Sequence, residues 1–287
     1  MRGALCLVAS LSSACLFPSL DLTGGDASGD ATSFDAPNET GVDASSSDAA
    51  TDGGGFHAGI GCGAATSDLL AYYTLDEGSG TVVHDCVSSP ANDGNILDPT
   101  HTSWVTGQHG KALEIDPFTG VCVTIDFATP TFAFGGTNAK AFTVAMWIYV
   151  IALPVGGENG YIAGLSSNIT MAGWRFSVVP SGTINFAVPD GNGNIVVVMG
   201  PTIATGAWHH VDAVYGGGAA NSFVYLDAKP GSAQVLPATW AADGTSDHMR
   251  VGCSADDQHQ LDARVDEIRF YDRALSGAEI AIVKNAQ

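Results

Sequence analysis

The chain has 287 residues, with 30 Asp and Glu against 10 Lys and Arg and a formal net charge of −20. A surface of that sign repels phosphate and gains nothing from counterion release, which argues against nucleic acid and an anionic membrane surface as partners. Glycine is abundant at 36 residues, and 14% of residues are charged against about 25% in ordinary globular chains, a composition suited to many short strands joined by tight turns.

Residues 1–14 carry one basic side chain, Arg2, an apolar run from Ala4 to Leu11, and then Ser12, Ser13 and Ala14 immediately before Cys15. Basic, apolar and small residues in that order make an export signal that is too short to span a bilayer. The run L-S-S-A-C resembles a bacterial lipoprotein signal, in which the cysteine, here Cys15, is acylated and becomes the mature N-terminus. Ordinary cleavage after S-x-A is the alternative. It would leave five cysteines and one unpaired thiol, whereas acylation of Cys15 leaves the even set Cys62, Cys86, Cys122 and Cys253. The resemblance implies an exported chain, lipid-anchored in the cell envelope at the outer membrane or cell surface. Residues 15–55 follow, rich in Asp, Ala, Ser, Thr and Gly, with eight acidic residues and no Lys or Arg. Such a segment buries too little surface to offset its ordering entropy and is expected to be a disordered tether, with a reach of roughly 35 Å.

A single folded domain is expected over residues 56–287, since sandwiches of this length are common. Period-2 patterning marks strands at 69–75, 111–115 and 120–127. Residues 142–151, F-T-V-A-M-W-I-Y-V-I, are apolar on both faces, which predicts a central strand covered on both sides. Strands at 174–179 and 183–188 flank the Pro180-Ser181-Gly182 turn, and Gly191 to Asn194 turn the chain into 195–199. Further strands are expected at 208–215, 222–226 and 249–253, before a closing strand within 262–275 that should pair with the first. Strict alternation along it puts Asp266 with Ile268 and Phe270 on the apolar side, and Glu267, Arg269 and Tyr271 on the other. The one helix signal is C-terminal: Ser276 and Glu279 form a capping box, with Leu275 and Ile280 at the staple positions.

Five stretches in order resemble the laminin-G-like jelly-roll family within the concanavalin A-like lectin and glucanase group. They are L-A-Y-Y-T-L-D-E-G-S-G-T from residue 70, G-K-A-L-E-I from 110, F-T-V-A-M-W-I-Y from 142, A-W-H-H-V-D-A-V-Y from 207 and V-D-E-I-R-F-Y-D-R-A-L-S from 265. The resemblance implies an all-β fold: a two-sheet antiparallel jelly-roll sandwich with a short C-terminal helix. It also implies members that bind glycans or extracellular proteins, often with calcium at a loop. The family's first loop often runs D-x-S-G-x-G-N-x-G. Here Asp85, Asn92 and Gly94 match, but Pro90 intrudes and glycines are missing.

Calcium takes six to eight oxygens, and Asp85, Asn92 and Asp266 are the candidate ligands. Asp266, placed on the apolar side, needs either a cation or backbone N–H donors. Trp174, Arg175, Asn185, Asn192 and Asn194 are the candidate ligand face, because rings stack on sugars and amides pair with hydroxyls; core packing is the other role for Trp174. His209 and His210 are adjacent on a strand and so face opposite ways, which excludes a shared metal. Hydrolases of this sandwich type carry E-x-D-x-x-E on one strand; here Glu114 and Asp116 lack the third acid and Pro117 interrupts. The expected function is a non-catalytic, surface-tethered binding module for a glycan or protein, with a carbohydrate-active enzyme or a structural envelope protein as alternatives. Four cysteines allow three connectivities; Cys86–Cys122 and Cys62–Cys253 are the pairings expected.

Overall fold

The computed structural model describes residues 68–88, 91–117, 121–126, 132, 134–135, 139–165, 172–240 and 248–286, all within the unit Asp52–Gln287. The signal, Cys15, the linker and Cys62 lie outside the described residues. In chain order the strands are β1 (Leu69–Tyr73), β2 (Val82–Val83), β3 (Gly94–Ile96), β4 (Thr102–Thr106), β5 (Lys111–Ile115), β6 (Val123–Asp126), β7 (Phe142–Val150), β8 (Gly160–Gly164) and β9 (Arg175–Val178). They continue with β10 (Thr183–Pro189), β11 (Ile195–Thr202), β12 (Trp208–Tyr215), β13 (Asn221–Leu226), β14 (Lys229–Pro230), β15 (Gln234–Val235), β16 (His248–Val251) and β17 (Ala263–Tyr271), and one helix, α1 (Gly277–Asn285), ends the fold.

These strands form two antiparallel sheets. The first has nine strands in the order β14-β13-β12-β7-β17-β5-β4, with β1 beside β17 and β15 beside β13; the second has eight, β11-β10-β9-β8-β16-β6-β3-β2. Between them lies a core that includes Phe142, Phe186, Trp174, Phe132, Phe270, Met146 and Ile148, each with no exposed surface or nearly none. Burying a large apolar side chain contributes roughly 1.5–3 kcal/mol, so this aromatic cluster is a major term in stability. As its pattern predicts, β7 is central: β12 and β17 flank it, and eight of its nine residues are buried. The capping box of α1 is formed as expected. Leu275, Ile280 and Val283 then pack on Val214, Tyr225 and Tyr271, so the helix covers part of the outer face of the nine-stranded sheet.

The closing strand departs from strict alternation. β17 pairs along its first part with β5 and along its last part with β1, and its register against β7 shifts between Asp266 and Arg269. Glu267 sits in the left-handed region at φ 56°, which inserts one extra residue as a β-bulge. The bulge reverses the expected facing of Asp266 alone, and Ile268, Phe270, Arg269 and Tyr271 face as alternation predicts. Asp266 is opposite Trp147 and Arg269 opposite Ala145, so Asp266, Arg269 and Tyr271 share the outer face, while Ile268 and Phe270 enter the core.

The disulfide pairing also differs from expectation. Cys122 is bonded to Cys253, with Cα atoms 5.6 Å apart. The reason is the register of β6 on β16: Val123 lies opposite Val251, which brings the residue before one strand and the residue just past the other to the same end. Cys86 is also disulfide-bonded.

Candidate functional site

The five ligand candidates separate by the face each strand presents. Trp174 has no exposed surface, its Nε1–H donates to the Phe132 carbonyl at 2.9 Å, and its ring packs against Phe142 and Phe186 inside the sandwich. Core packing is therefore its place. Arg175 follows it on β9 and points the other way, onto the outer face of the eight-stranded sheet. Asn185 shares that face, since Arg175 pairs with Ala187 and Ser177 with Asn185, and its Oδ1 is buried without a partner. Asn192 and Asn194 close the turn after β10 through bonds of 2.8–2.9 Å to Asp190, which holds that carboxyl below its usual value; their amide groups build the turn.

Arg175 lines a small open polar cleft of about 110 Å³ with Gly157, Glu158, Asn159, Tyr161 and His259, well below the ~300–1,000 Å³ of pockets that enclose a whole ligand and so a shallow surface site. Glycine lets β8 and β9 approach closely beside it. Gly164 is the partner of Arg175 on β8, and a Cβ there would lie 2.9 Å from the Trp174 carbonyl and 3.3 Å from the Arg175 Cα. The Arg175 guanidinium bonds the Tyr161 hydroxyl; burial raises the Tyr161 pKa and this cation moderates the rise.

Opposite, His259 is carried by the loop between β16 and β17 and its backbone is fixed at several points. Tyr161 N–H donates to the His259 carbonyl at 2.9 Å, Leu261 N–H to Gly252 at 3.0 Å, and Gly252 N–H to Ile162 at 3.0 Å. The Cys122–Cys253 bridge ties the start of the loop, and Arg250 Nε, 2.8 Å from Asp257 Oδ1, braces its middle. His259 Nδ1 lies 3.2 Å from Glu158 Oε2, and its ring is 5.8 Å from that of Tyr161. Glu158, Asn159, Tyr161 and His259 were not among the sequence candidates. They come from two loops and one strand that only the fold brings to Arg175.

The calcium candidates do not converge. Asp85, 2% exposed, accepts from Tyr72 N–H at 3.1 Å, Val87 N–H at 3.0 Å and Asn92 N–H at 3.2 Å, as well as from the Ser88 hydroxyl. Its oxygens thus face hydrogen-bond donors, which are not metal ligands. Asn92 gives its carbonyl to the Tyr73 hydroxyl at 2.6 Å and its side-chain amide to Ser88. Asp266 is bonded elsewhere, through Oδ2 to His109 N–H at 2.9 Å. Burial, with the neighbouring Glu267 and Asp76 charges adding to it against the backbone bonds, raises its pKa to about 8. These donor sets do not fit a calcium cage in this arrangement. Glu114 is taken by Arg264 Nε at 2.6 Å. His209 and His210 face opposite ways, pairing with Asp227 and Asp212 at 2.8 and 3.1 Å.

Solved structures of similar fold are toxin binding domains and an enzyme. The binding domain of Paraclostridial Mosquitocidal Protein 1 aligns at TM-score 0.60 and 16% identity, over 76% of this chain and 52% of its own. The Botulinum neurotoxin serotype D ligand binding domain, solved in complex with N-acetylneuraminic acid, aligns at 0.57 and 13%, over 77% and 51%. Trypanosoma rangeli sialidase in complex with the inhibitor DANA aligns at 0.53 and 17%, over 77% and 33%. The chain thus spans about half the length of those toxin domains, and at these identities the likeness is one of fold. No curated protein matches. A family model described as the Concanavalin A-like lectin/glucanases superfamily matches residues 125–281, more than half of the chain and all but the first strands of the sandwich, and to that superfamily the chain belongs.

Proposed function

We propose that the chain is a non-catalytic binding module that takes a glycan in the Arg175 cleft. The observation that carries this reading is the cleft's construction: a cation, a phenol, an imidazole, an amide and a carboxylate face one open space, on backbone pinned by hydrogen bonds and a disulfide. Preorganised polar groups of both donor and acceptor type suit hydroxyl-rich ligands. The toxin domain of similar fold solved with N-acetylneuraminic acid supports the same class.

A glycan array carrying neutral and sialylated structures, probed with the wild type and with Arg175→Ala, tests it. Binding that Arg175→Ala weakens at least tenfold is expected. An array with no signal, or one that the substitution leaves unchanged, overturns the reading. The tethered placement belongs to the same proposal and has its own test in mass spectrometry of the mature N-terminus, where an unacylated residue would sink it.

A further inference from the structure

The turn between β4 and β5, residues 107–110, reads G-Q-H-G and lies against the outer face of the nine-stranded sheet. It sits at the sheet's margin. β4 is the last strand in the sheet's order, beside β5, and none of its five residues is buried. Elements with few buried contacts open locally at lower cost than the strands inside a sheet.

Two carboxylates hold this turn down. Asp266 Oδ2, from β17, accepts from His109 N–H at 2.9 Å, and the Gln108 backbone bonds the same carboxyl. Asp76 Oδ1, from the segment after β1, accepts from Lys111 N–H at 2.6 Å. Each acid is matched by a glycine. A Cβ on Gly107 would lie 2.6 Å from Asp266 Oδ2, and one on Gly110 would overlap Asp76, so glycine at both ends of the turn lets the two acids reach the backbone. Under the turn, the His109 ring meets Trp147 edge-on at 6.0 Å, and Trp147 is 7% exposed.

The two acids differ in their surroundings. Asp76 is half-buried, whereas Asp266 has no exposed surface. The charged and titratable groups around Asp266 are His109 and Lys111 of the hairpin, Asp76, and Glu267 and Arg269 of its own strand. Tyr72 of β1 bonds both Glu267 and Arg269, and His210 with Asp212 lies across Trp147 on β12. With the turn closed, burial and the Glu267 and Asp76 charges keep the Asp266 proton on, and its pKa is raised to about 8. With the turn open, water reaches the carboxyl and its pKa falls toward an ordinary value of about 4. Below about pH 4 both forms hold the proton. Between about pH 4 and 8 only the closed form does, so each pH unit raises the open population by up to about tenfold, and above about pH 8 the ratio levels off.

We infer that residues 107–110 form a proton-controlled latch over Trp147, shut in acid while Asp266 is neutral and opened progressively as the solution becomes neutral and mildly alkaline. Nothing in the latch depends on the Arg175 cleft.

Hydrogen–deuterium exchange of the full chain, followed by mass spectrometry at pH 5, 6, 7 and 8 with intrinsic exchange rates divided out, is the test. Protection of peptides spanning 105–111 should fall roughly five- to tenfold per pH unit, while peptides from 142–150 in β7 keep theirs. Asp266→Asn, which has no proton to lose, should make the protection of 105–111 independent of pH. Gly107→Ala, whose methyl pushes the turn off Asp266, should leave that protection low at every pH. Wild-type protection that does not change with pH overturns the latch, as does an Asp266→Asn variant with the wild-type slope or a Gly107→Ala variant with wild-type protection. Loss at 142–150 in step with 105–111 overturns it too, because the proton would then govern unfolding of the whole domain. Should Gly107→Ala fail to fold, the Asp266→Asn slope decides alone.

Discussion

Replacing Asp266 with Asn should raise the stability of the domain in alkaline solution. The Asp266 side chain is fully buried on the outer face of β17, its Oδ2 accepts from His109 N–H at 2.9 Å, and its pKa rises from an ordinary 3.8 to about 8, chiefly through burial. Below about pH 4 both the folded and the unfolded chain hold this proton. Between about pH 4 and 8 the unfolded chain releases it and the folded chain keeps it, so the acid's contribution to stability is lost as pH rises through that window. At about 1.36 kcal/mol per pKa unit, the shift sets a ceiling of roughly 5–6 kcal/mol. Relaxation and water penetration lower such ceilings, and about 2–5 kcal/mol is expected at pH 9. Asn keeps an acceptor for His109 and carries no charge to titrate. Urea denaturation of both proteins at pH 4.5, 6, 7.5 and 9 gives the difference directly. Curves that converge at pH 4.5 and separate in favour of Asn at pH 9 are expected; a parallel pair, or an Asn variant that is weaker at pH 9, would refute the reasoning.

The Cys122–Cys253 bridge closes a sequence separation of 131 residues, for which the chain-entropy relation gives roughly 5 kcal/mol. Cys122→Ser with Cys253→Ser should then lower the melting temperature by roughly 10–20 °C in calorimetry, and a drop of less than about 3 °C would show that the bridge constrains little. Peptide mapping of the wild type should return Cys122 with Cys253. Because donors surround Asp85, adding calcium and then a chelator should leave the melting temperature unchanged; a rise of several degrees with calcium would mean that the loop rearranges around the ion. Ser276→Ala removes both its bond to Glu279 N–H and its hydroxyl bond to Glu279 and should cost about 1 kcal/mol in urea denaturation, with Ser276→Thr retaining most of it.

The sequence showed most clearly what is periodic and local. β7, β12 and β17 appear where alternation or a double-faced apolar run puts them, and the Ser276 box predicts α1, because a capping box needs only residues three apart. β8 was missed because G-Y-I-A-G has the look of punctuation. Its glycines are there for contact: a Cβ on Gly160 would lie 2.6 Å from a Leu261 methyl. The bulge at Glu267 left no mark either, since a single left-handed residue does not alter a hydrophobic pattern, yet it decides which way Asp266 points. Arg175 was legible as a polar residue beside a turn-rich hairpin, but its neighbours Glu158 and His259 are distant in the chain and meet only through the packing of two loops. The disulfide was illegible for a related reason, because pairing β6 with β16 is a long-range choice that no spacing of cysteines encodes.

β1 lies beside β17, and the contact continues beyond the ladder, where Asp272 N–H donates to the Asp68 carbonyl at 3.2 Å and Arg273 Nε sits 2.9 Å from Asp68 Oδ2. The path into the domain and the path out of its last strand therefore run side by side. A fold with its doorway in one place can be spliced into the loop of another protein, or have its ends joined and be reopened at an exposed turn such as Gly191–Gly193, with little change to the pairing of its strands.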